Sequence, residues 1–385
     1  MTTKEVETEN NIFEAITNND IHQLKLLLVD QQNINILDEN FMTPLQHAAF
    51  KGNKEMVRMF LDQGADVNLC QHQHEYSALH FAGLSGNAEV CTVLLLAGAK
   101  SDVVNTVGRN PSQMAAFVGN HNCVSTINNF ISKSEIDYYT VTNPEFPKPP
   151  LPSFLTESFH KFVMQINVNP VRIVINLHKY AGLIDHLDEV SDVLELMCAR
   201  EMKRGPESNE VMGFKYHHLH FVVDEISKIN KSTIRDDCAK KTDLIEILCR
   251  RLLKPDKDGD LPLLNDFLRE SVRSFPFRDC TILRQMVTAL ASKDPPSAIS
   301  IISSAINGQR GFVDTTPMCQ TCGEEKPAKK CSKCKVVQYC DRECQRLHWF
   351  VHKKACAQIS QGESQTKPNS NELASDMQSL LVGSD

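Results

Sequence analysis

The sequence predicts a mostly α-helical protein in three units: a solenoid of helical repeats, an all-α middle domain and a small cysteine-rich finger. Three observations lead to this fold class. A motif recurs every 33 or 34 residues near the N-terminus, apolar residues follow helical spacing from about 151 to 308, and seven of the fourteen cysteines crowd into residues 319–356. The 385 residues suffice for two or three domains of roughly 150 residues each.

Charge and hydropathy exclude two functional classes. Acidic residues outnumber basic ones 48 to 41, and the formal charge of −7 argues against a general nucleic-acid-binding protein. No apolar run approaches the ~18 residues that a membrane span requires. The N-terminus is acidic where a secretory signal would be basic and then apolar. We therefore expect a cytoplasmic protein with no direct membrane insertion.

The repeated motif appears three times. Thr43-Pro-Leu-Gln-His-Ala-Ala49 recurs as Ser77-Ala-Leu-His-Phe-Ala-Gly83 and more faintly as Asn110-Pro-Ser-Gln-Met-Ala-Ala116, with starts 34 and 33 residues apart. The first residue of each copy can cap a helix, and the small residues that follow allow a second helix to pack closely. This motif and period resemble the ankyrin repeat. The resemblance implies about four stacked copies over residues 11–141, with degenerate copies at both ends.

Variable positions of the repeats are candidate partner contacts on the concave face of the array. Two of the copies depart from the family, because Phe41 and Glu75 stand where it usually has a turn glycine. The candidates lie next to these turns and at the ends of the first helices: Met42, Phe50, Tyr76, Leu84, Arg109 and Phe117. Solvent-facing aromatic residues there would be natural hot spots. In the alternative interpretation, Phe50 and Phe117 pack against the helical middle domain.

The remaining segments are assigned from composition and periodicity. Residues 142–152 are rich in proline, which predicts an extended connector. Helical spacing of apolar residues predicts about seven helices in an all-α domain over residues 153–310, whose role the sequence does not state. Residues 1–10 and the Ser-, Gln-, Asn- and Glu-rich residues 357–385 are predicted to be disordered.

The cysteine cluster has the spacing C-x2-C-x8-C-x2-C-x5-C-x3-C-x7-H-x3-C. Its members are Cys319, Cys322, Cys331, Cys334, Cys340, Cys344, His352 and Cys356. Eight soft ligands form two tetrahedral sites of the kind that zinc prefers. A 38-residue segment holds too little apolar surface to fold without such ions. Spacing alone does not decide which ligands share an ion.

The cluster resembles a MYND zinc finger, with Cys344-Gln345, Trp349, His352 and Cys356 in the family's spacing. MYND fingers are interleaved. The resemblance therefore assigns Cys319, Cys322, Cys340 and Cys344 to one zinc ion, and Cys331, Cys334, His352 and Cys356 to the other. Nine basic and four acidic residues give residues 319–356 a formal charge of +5. The two thiolate-bound ions reduce it to about +2, which is weak for phosphate binding.

The MYND resemblance also implies a peptide site. In these fingers a Gln and a Trp four residues apart contact Pro-x-Leu-x-Pro ligands, and the corresponding residues here are Gln345 and Trp349. A proline-rich peptide is therefore an expected partner. Within the chain, Pro149-Pro-Leu-Pro152 is close to such a ligand, so it is a candidate to occupy the site in cis.

Ankyrin repeats, a helical block and a MYND finger in this order resemble the ankyrin-repeat and MYND-domain protein 2 family. The resemblance implies an adaptor that helps traffic membrane receptors and nucleotide cyclases to the cilium, with an FKBP-type immunophilin as partner. The alternative is a nuclear co-regulator that recruits Pro-x-Leu-x-Pro proteins through the finger. We found no lysine- and arginine-rich import segment, which favours the cytoplasmic adaptor.

Other motifs do not favour an enzyme. Asn120-His-Asn-Cys123 is similar to a motif of SET methyltransferases, but it falls in the ankyrin register and no other SET motif accompanies it. The histidines of Tyr216-His-His-Leu-His220 lack an adjacent Cys or carboxylate, so a structural role is expected for them. There is no phosphate-binding glycine loop.

Overall fold

A computed structural model describes residues 11–29, 33–205, 208–235, 244–257, 259–308 and 317–362. The mostly α-helical fold class is confirmed, because these residues contain helices from one end to the other and a sheet of only two short strands. The predictions for residues 1–10 and 363–385 lie outside the described residues. No helix in the described ranges is long and apolar enough to cross a membrane.

Four helix pairs form the N-terminal stack. They are α1 (residues 11–17) with α2 (Ile21–Leu28), α3 (Pro44–Lys51) with α4 (Lys54–Asp62), α5 (Ala78–Ser85) with α6 (Ala88–Leu96), and α7 (Pro111–Phe117) with α8 (His121–Asn128). Thr43, Ser77 and Asn110 each cap the first helix of a pair through a capping box. The recurring motif therefore marks helix N-termini, where otherwise unpaired N–H groups need an acceptor.

Neighbouring repeats are joined by partly buried side-chain amides. Asn87 donates from Nδ2 to the carbonyl oxygen of Gly52 at 2.7 Å, and Asn120 donates from Nδ2 to the carbonyl oxygens of Gly83 at 2.9 Å and Leu84 at 3.0 Å, in the last turn of α5. A Cβ atom at Gly86 would lie 2.9 Å from the Asn120 side chain, and Gly86 has a φ of +76°. Glycine at such a position thus has two roles: it adopts the left-handed backbone that ends the helix, and its lack of a side chain lets the next repeat pack closely.

In the described residues, nine α-helices lie between the stack and the cysteine-rich finger. They are α9 (Lys133–Thr140), α10 (Thr156–Val163), α11 (Pro170–Lys179), α12 (Leu187–Met202), α13 (Glu210–Arg235), α14 (Leu244–Leu252), α15 (Pro262–Arg273), α16 (Thr281–Leu290) and α17 (Ala298–Asn307). The described part of residues 153–310 therefore holds eight α-helices, where about seven were expected. The apolar residues of α9 belong to the core of this helical domain and not to the repeat core. By packing, the boundary thus falls before α9, earlier than the predicted residue 141.

The proline-rich connector is packed against the helical domain. Leu151 is fully buried in its core, and its N–H donates to the carbonyl oxygen of Tyr139 at 3.1 Å. The rings of Tyr138, Tyr139 and Phe146 lie together, with centroids between 4.9 and 6.1 Å apart. The connector is therefore a folded corner and not a free extended linker. Because Leu151 is buried beside Tyr139, it is not available as a ligand of the finger.

Among the buried polar side chains of α13, two histidines have hydrogen-bond partners and one lysine has none. His217 contacts the carbonyl oxygen of Ser271 at 2.9 Å, and His218 contacts that of Val168 at 2.9 Å. Burial lowers the pKa of both histidines to about 4, so they pack as neutral rings. Lys215 is fully buried and its Nζ has no hydrogen-bond partner. Burial lowers the pKa of this lysine to about 7.

Replacing Lys215 with Met should stabilise the protein near neutral pH. The unfolded chain holds the lysine proton up to an ordinary pKa of 10.5, so keeping the amine neutral in the fold costs on the order of 4 kcal/mol at pH 7. This cost falls as pH rises from 7 toward 10.5. Between pH 7 and 9, the free energy of unfolding of the wild type should therefore rise by about 2 kcal/mol relative to Lys215→Met.

Denaturant unfolding with zinc saturated measures this difference, and the same change at the exposed Lys179 serves as control. Parallel pH profiles for the wild type and Lys215→Met would contradict the prediction.

Candidate zinc centres and binding surfaces

The finger is built from two knuckles, a short hairpin and a helix. In the first knuckle the Gly323 N–H donates to the carbonyl oxygen of Cys319 at 2.9 Å, and in the second the Lys335 N–H donates to that of Cys331 at 2.8 Å. Gly323 and Lys335 both have left-handed backbone conformations, with φ of 66° and 58°. The hairpin pairs β1 (Lys329–Lys330) with β2 (Gln338–Tyr339), and α18 (Arg342–Gly362) follows.

Helix α18 starts at a side-chain cap and extends past the predicted end of the finger. Asp341 accepts the N–H of Cys344 through Oδ1 at 2.9 Å, which is the geometry of an N-cap. At the other end the helix continues from Cys356 to Gly362, where disorder was predicted from residue 357. Ala357 and Gln358 are good helix formers, and they prolong a helix that the last ligands already require.

The structure brings the eight ligand residues together in two groups. Within each group the ligand atoms all lie within 4.8 Å of one another. The groups are Cys319, Cys322, Cys340 and Cys344, and Cys331, Cys334, His352 and Cys356. These are the interleaved sets that the MYND resemblance implies.

Distances between ligand atoms fit tetrahedral zinc. Bonds of ~2.3 Å to sulfur and ~2.0 Å to nitrogen place two sulfurs about 3.8 Å apart, and a sulfur and a nitrogen about 3.5 Å apart. The Sγ atoms of Cys322 and Cys344 are 3.8 Å apart, and those of Cys331 and Cys356 are also 3.8 Å apart. His352 faces its site through Nε2, which lies 3.5 Å from Sγ of Cys334. The prediction of two zinc ions as cofactors is confirmed.

Helix α18 contributes to both groups, so the two centres share one scaffold. Cys344 belongs to the first group, whereas His352 and Cys356 belong to the second. His348 lies between them in sequence but in neither group, and its Nδ1 is 3.1 Å from the hydroxyl of Tyr339. Burial lowers the pKa of His348 to about 4. It therefore supports the finger as a neutral ring.

Gln345 and Trp349 lie one helical turn apart on α18 and are accessible. Trp349 is 40 % exposed, and its indole meets the His352 ring at 6.0 Å in an edge-to-face arrangement. Gln345 is half-buried. The adjoining face of α18 meets the helical domain, because Arg346 forms an ion pair with Glu246 at 2.8 Å. Docking of the finger therefore leaves the indole accessible to a peptide.

The ankyrin face requires one correction, at Met42. Met42 is only 9 % exposed and belongs to the repeat core, so it is not a surface contact. Phe41 precedes it with a left-handed φ of 59° and is exposed. Because Phe41 takes the conformation that a turn glycine normally adopts, its own side chain points outward and that of Met42 turns into the core. Phe41 was not among the predicted contacts, although its place at a position that usually holds a turn glycine was the signal that could have identified it.

The other candidates, together with Phe41, form a partly exposed surface, which we call the ankyrin face: Phe41, Phe50, Tyr76, Leu84, Arg109 and Phe117. Phe50 and Phe117 are 54 % and 68 % exposed, which contradicts the alternative that both pack against the helical domain. The Arg109 guanidinium lies 4.2 Å from the centre of the Phe117 ring. Tyr76 stacks on His80 with ring centroids 5.5 Å apart.

Comparison with known families agrees with both ends of this structure. Residues 12–105 match ankyrin repeats as three copies, and residues 319–356 match the MYND finger. The fold and the two metal groups define a protein that combines two protein-interaction modules, an ankyrin stack and a zinc-dependent MYND finger.

The chain belongs to the ankyrin-repeat and MYND-domain protein 2 family. It is 30 % identical over 365 residues to dauer abnormal formation protein 25 of Caenorhabditis elegans, a match that covers 93 % of this chain and 92 % of that protein. The shared region therefore includes the helical middle domain, and the family resemblance seen in the sequence is confirmed.

Two further relatives match much shorter stretches. The human transient receptor potential cation channel subfamily A member 1 is 35 % identical over 118 residues, which are 30 % of this chain and 10 % of that protein. Palmitoyltransferase ZDHHC17 of Danio rerio is 39 % identical over 75 residues, which are 19 % of this chain and 12 % of that enzyme. Such short matches carry no functional argument.

We expect the purified chain to bind two zinc ions and Cys331→Ser to release one of them. Because the centres share α18, this variant should also lower the thermal stability of the whole finger. Elemental analysis and thermal unfolding measure the two effects, and the same change at Cys70, which lies outside the finger, is the control. A wild-type protein with one zinc ion or none would contradict the assignment.

Proposed function

We propose that this chain is a non-enzymatic adaptor that holds partner proteins on two surfaces, the ankyrin face and the Gln345–Trp349 face of α18. The main support is the exposure of Phe50 and Phe117 at equivalent positions of the second and fourth helix pairs. Large aromatic rings left mostly in solvent at equivalent repeat positions contribute little to the stability of the monomer, and such apolar surfaces are typical of binding sites.

Family membership extends the proposal to a cellular role. In this role the adaptor helps deliver membrane signalling proteins, namely receptors and nucleotide cyclases, to the cilium, and an FKBP-type immunophilin is one of its partners. The relative dauer abnormal formation protein 25 is named for dauer formation, and its match over nearly the whole of both chains supports a shared role. The proposed location is the cytoplasm and the cilium.

The alternative function is a nuclear co-regulator that uses the same face of α18. The accessible Trp349 suits either function, so location discriminates between them. A tagged full-length chain should be found in the cytoplasm and cilia of ciliated cells. Accumulation in the nucleus would favour the alternative.

Replacing Phe50 and Phe117 together with Ala should abolish partner capture by the ankyrin face. Each exposed ring is expected to contribute ~2 kcal/mol or more to binding, so the double variant should weaken affinity more than 100-fold. Thermal stability should change little, because neither ring is buried. Affinity purification of the full-length chain from ciliated cells measures capture.

A matched control replaces two exposed leucines on second helices of the repeats, Leu26 and Leu96. This control should capture partners normally. The ankyrin-face assignment is wrong if Phe50→Ala with Phe117→Ala lowers the melting temperature and leaves capture intact.

Titration of the full-length chain with a Pro-x-Leu-x-Pro peptide should shift the fluorescence of Trp349, which is the only tryptophan. An indole face packs against proline rings, and a carboxamide both donates and accepts hydrogen bonds with an extended backbone. Gln345→Ala should abolish the shift while both zinc ions remain bound.

Gln320 provides the control, since it is an exposed glutamine of the same finger outside α18. Gln320→Ala should bind the peptide normally. Loss of zinc from Trp349→Ala, or normal binding by Gln345→Ala, would show that Gln345 and Trp349 do not form a peptide site.

A further inference from the structure

The helical domain contacts the first zinc centre through hydrogen bonds and an ion pair. Asn167, in the loop before α11, donates from Nδ2 to the carbonyl oxygen of Cys322 at 3.1 Å and to Oε2 of Glu324 at 3.0 Å. Nε of Arg172, in the first turn of α11, lies 3.3 Å from the same carboxylate oxygen. Two side chains from another unit thus hold the knuckle that carries Cys319 and Cys322.

Charge explains why an arginine is placed there. A divalent zinc ion with four thiolates carries a net charge of −2, and Glu324 adds one more negative charge beside it. The Arg172 side chain is only 19 % exposed, so its charge is poorly screened by solvent. Burial alone would lower the pKa of Arg172, but Glu324 and the sulfurs of Cys322, Cys340 and Cys344 raise it above its ordinary value.

The second centre has a different environment. With three thiolates and one histidine it carries a net charge of −1. Away from the first knuckle, the finger meets the helical domain along α18, where Arg346 pairs with Glu246 and the Arg250 guanidinium lies 5.6 Å from the centre of the Phe350 ring. These are side-chain pairs that do not involve a ligand residue. The electrostatic contact is therefore specific to the four-cysteine centre.

We propose that Asn167 and Arg172 form a seat for the first zinc centre, through which the helical domain slows metal release from that centre alone. In turn, the charge of the occupied centre holds the finger on the helical domain. Arg172 is a positioning residue, because it touches Glu324 and not a ligand atom. Residues that support metal ligands from behind typically alter metal affinity 10- to 100-fold.

Metal release from the full-length chain tests the seat. Excess chromogenic chelator should remove zinc in two phases of one ion each. Cobalt substitution assigns the phases, because four-sulfur and three-sulfur, one-nitrogen sites differ in visible absorption. Arg172→Gln should accelerate release from the four-cysteine centre ~10-fold and leave the other phase unchanged. Arg172→Lys, which keeps the charge, should restore part of the difference.

A second variant and a matched control distinguish an effect of the seat from a general effect on packing between the finger and the helical domain. Asn167→Asp adds a negative charge next to Glu324 and should accelerate the same phase, whereas Arg250→Gln, at the other contact, should change neither phase. Hydrogen exchange of α11 amides should increase when the metal is stripped from the wild type. The proposal is wrong if zinc release is unchanged in both seat variants, or if Arg172→Gln accelerates both phases equally. It is also wrong if hydrogen exchange of the α11 amides does not respond to removal of the metal.

Discussion

The fold of the C-terminal finger depends on zinc coordination. Eight ligand residues dispersed over 38 residues of sequence must come together in two groups of four, one for each ion. Each group takes one pair of ligands from a knuckle and the others from later in the chain, so neither knuckle is fixed until α18 is in place. The buried cysteines also join the core of the helical domain. The metal centres therefore organise the finger internally and place it against its neighbour at the same time.

The helical domain connects the two interaction modules. On one side, Asn129 of the last repeat donates from Nδ2 to Oδ1 of Asn307 at 2.9 Å, and Nε2 of His160 contacts the carbonyl oxygen of Ile131 at 2.6 Å. On the other side, Asn167 and Arg172 hold the first knuckle. A domain with no recognisable motif of its own thus contacts both binding modules, which gives a structural role to a region whose sequence indicated none.

Exposure separates the parts of the repeats that stabilise the stack from those available to partners. Ala48 and Ala49 are fully buried between helices, and Gln46 uses its amide to bond the carbonyl oxygens of Leu69 and Tyr76 in the neighbouring turns. These residues satisfy the packing and hydrogen-bonding needs of the array. Aromatic residues that remain in solvent after those needs are met, such as Phe50, are free to contact another protein.

Local patterns allowed the sequence to determine the repeat unit and the ligand residues. Helix caps such as Thr43 follow from hydrogen bonds within a few residues, and zinc chemistry restricts which residue types can cluster at such spacings. Which side chains face solvent was decided by the tertiary structure. Met42 is buried and Phe41 exposed because of one left-handed residue, and Leu151 is covered by a core that forms elsewhere in the chain. Asn167 and Cys322 are separated by 155 residues in the sequence. Periodicity reports only local structure, so it could not predict a contact between residues so far apart.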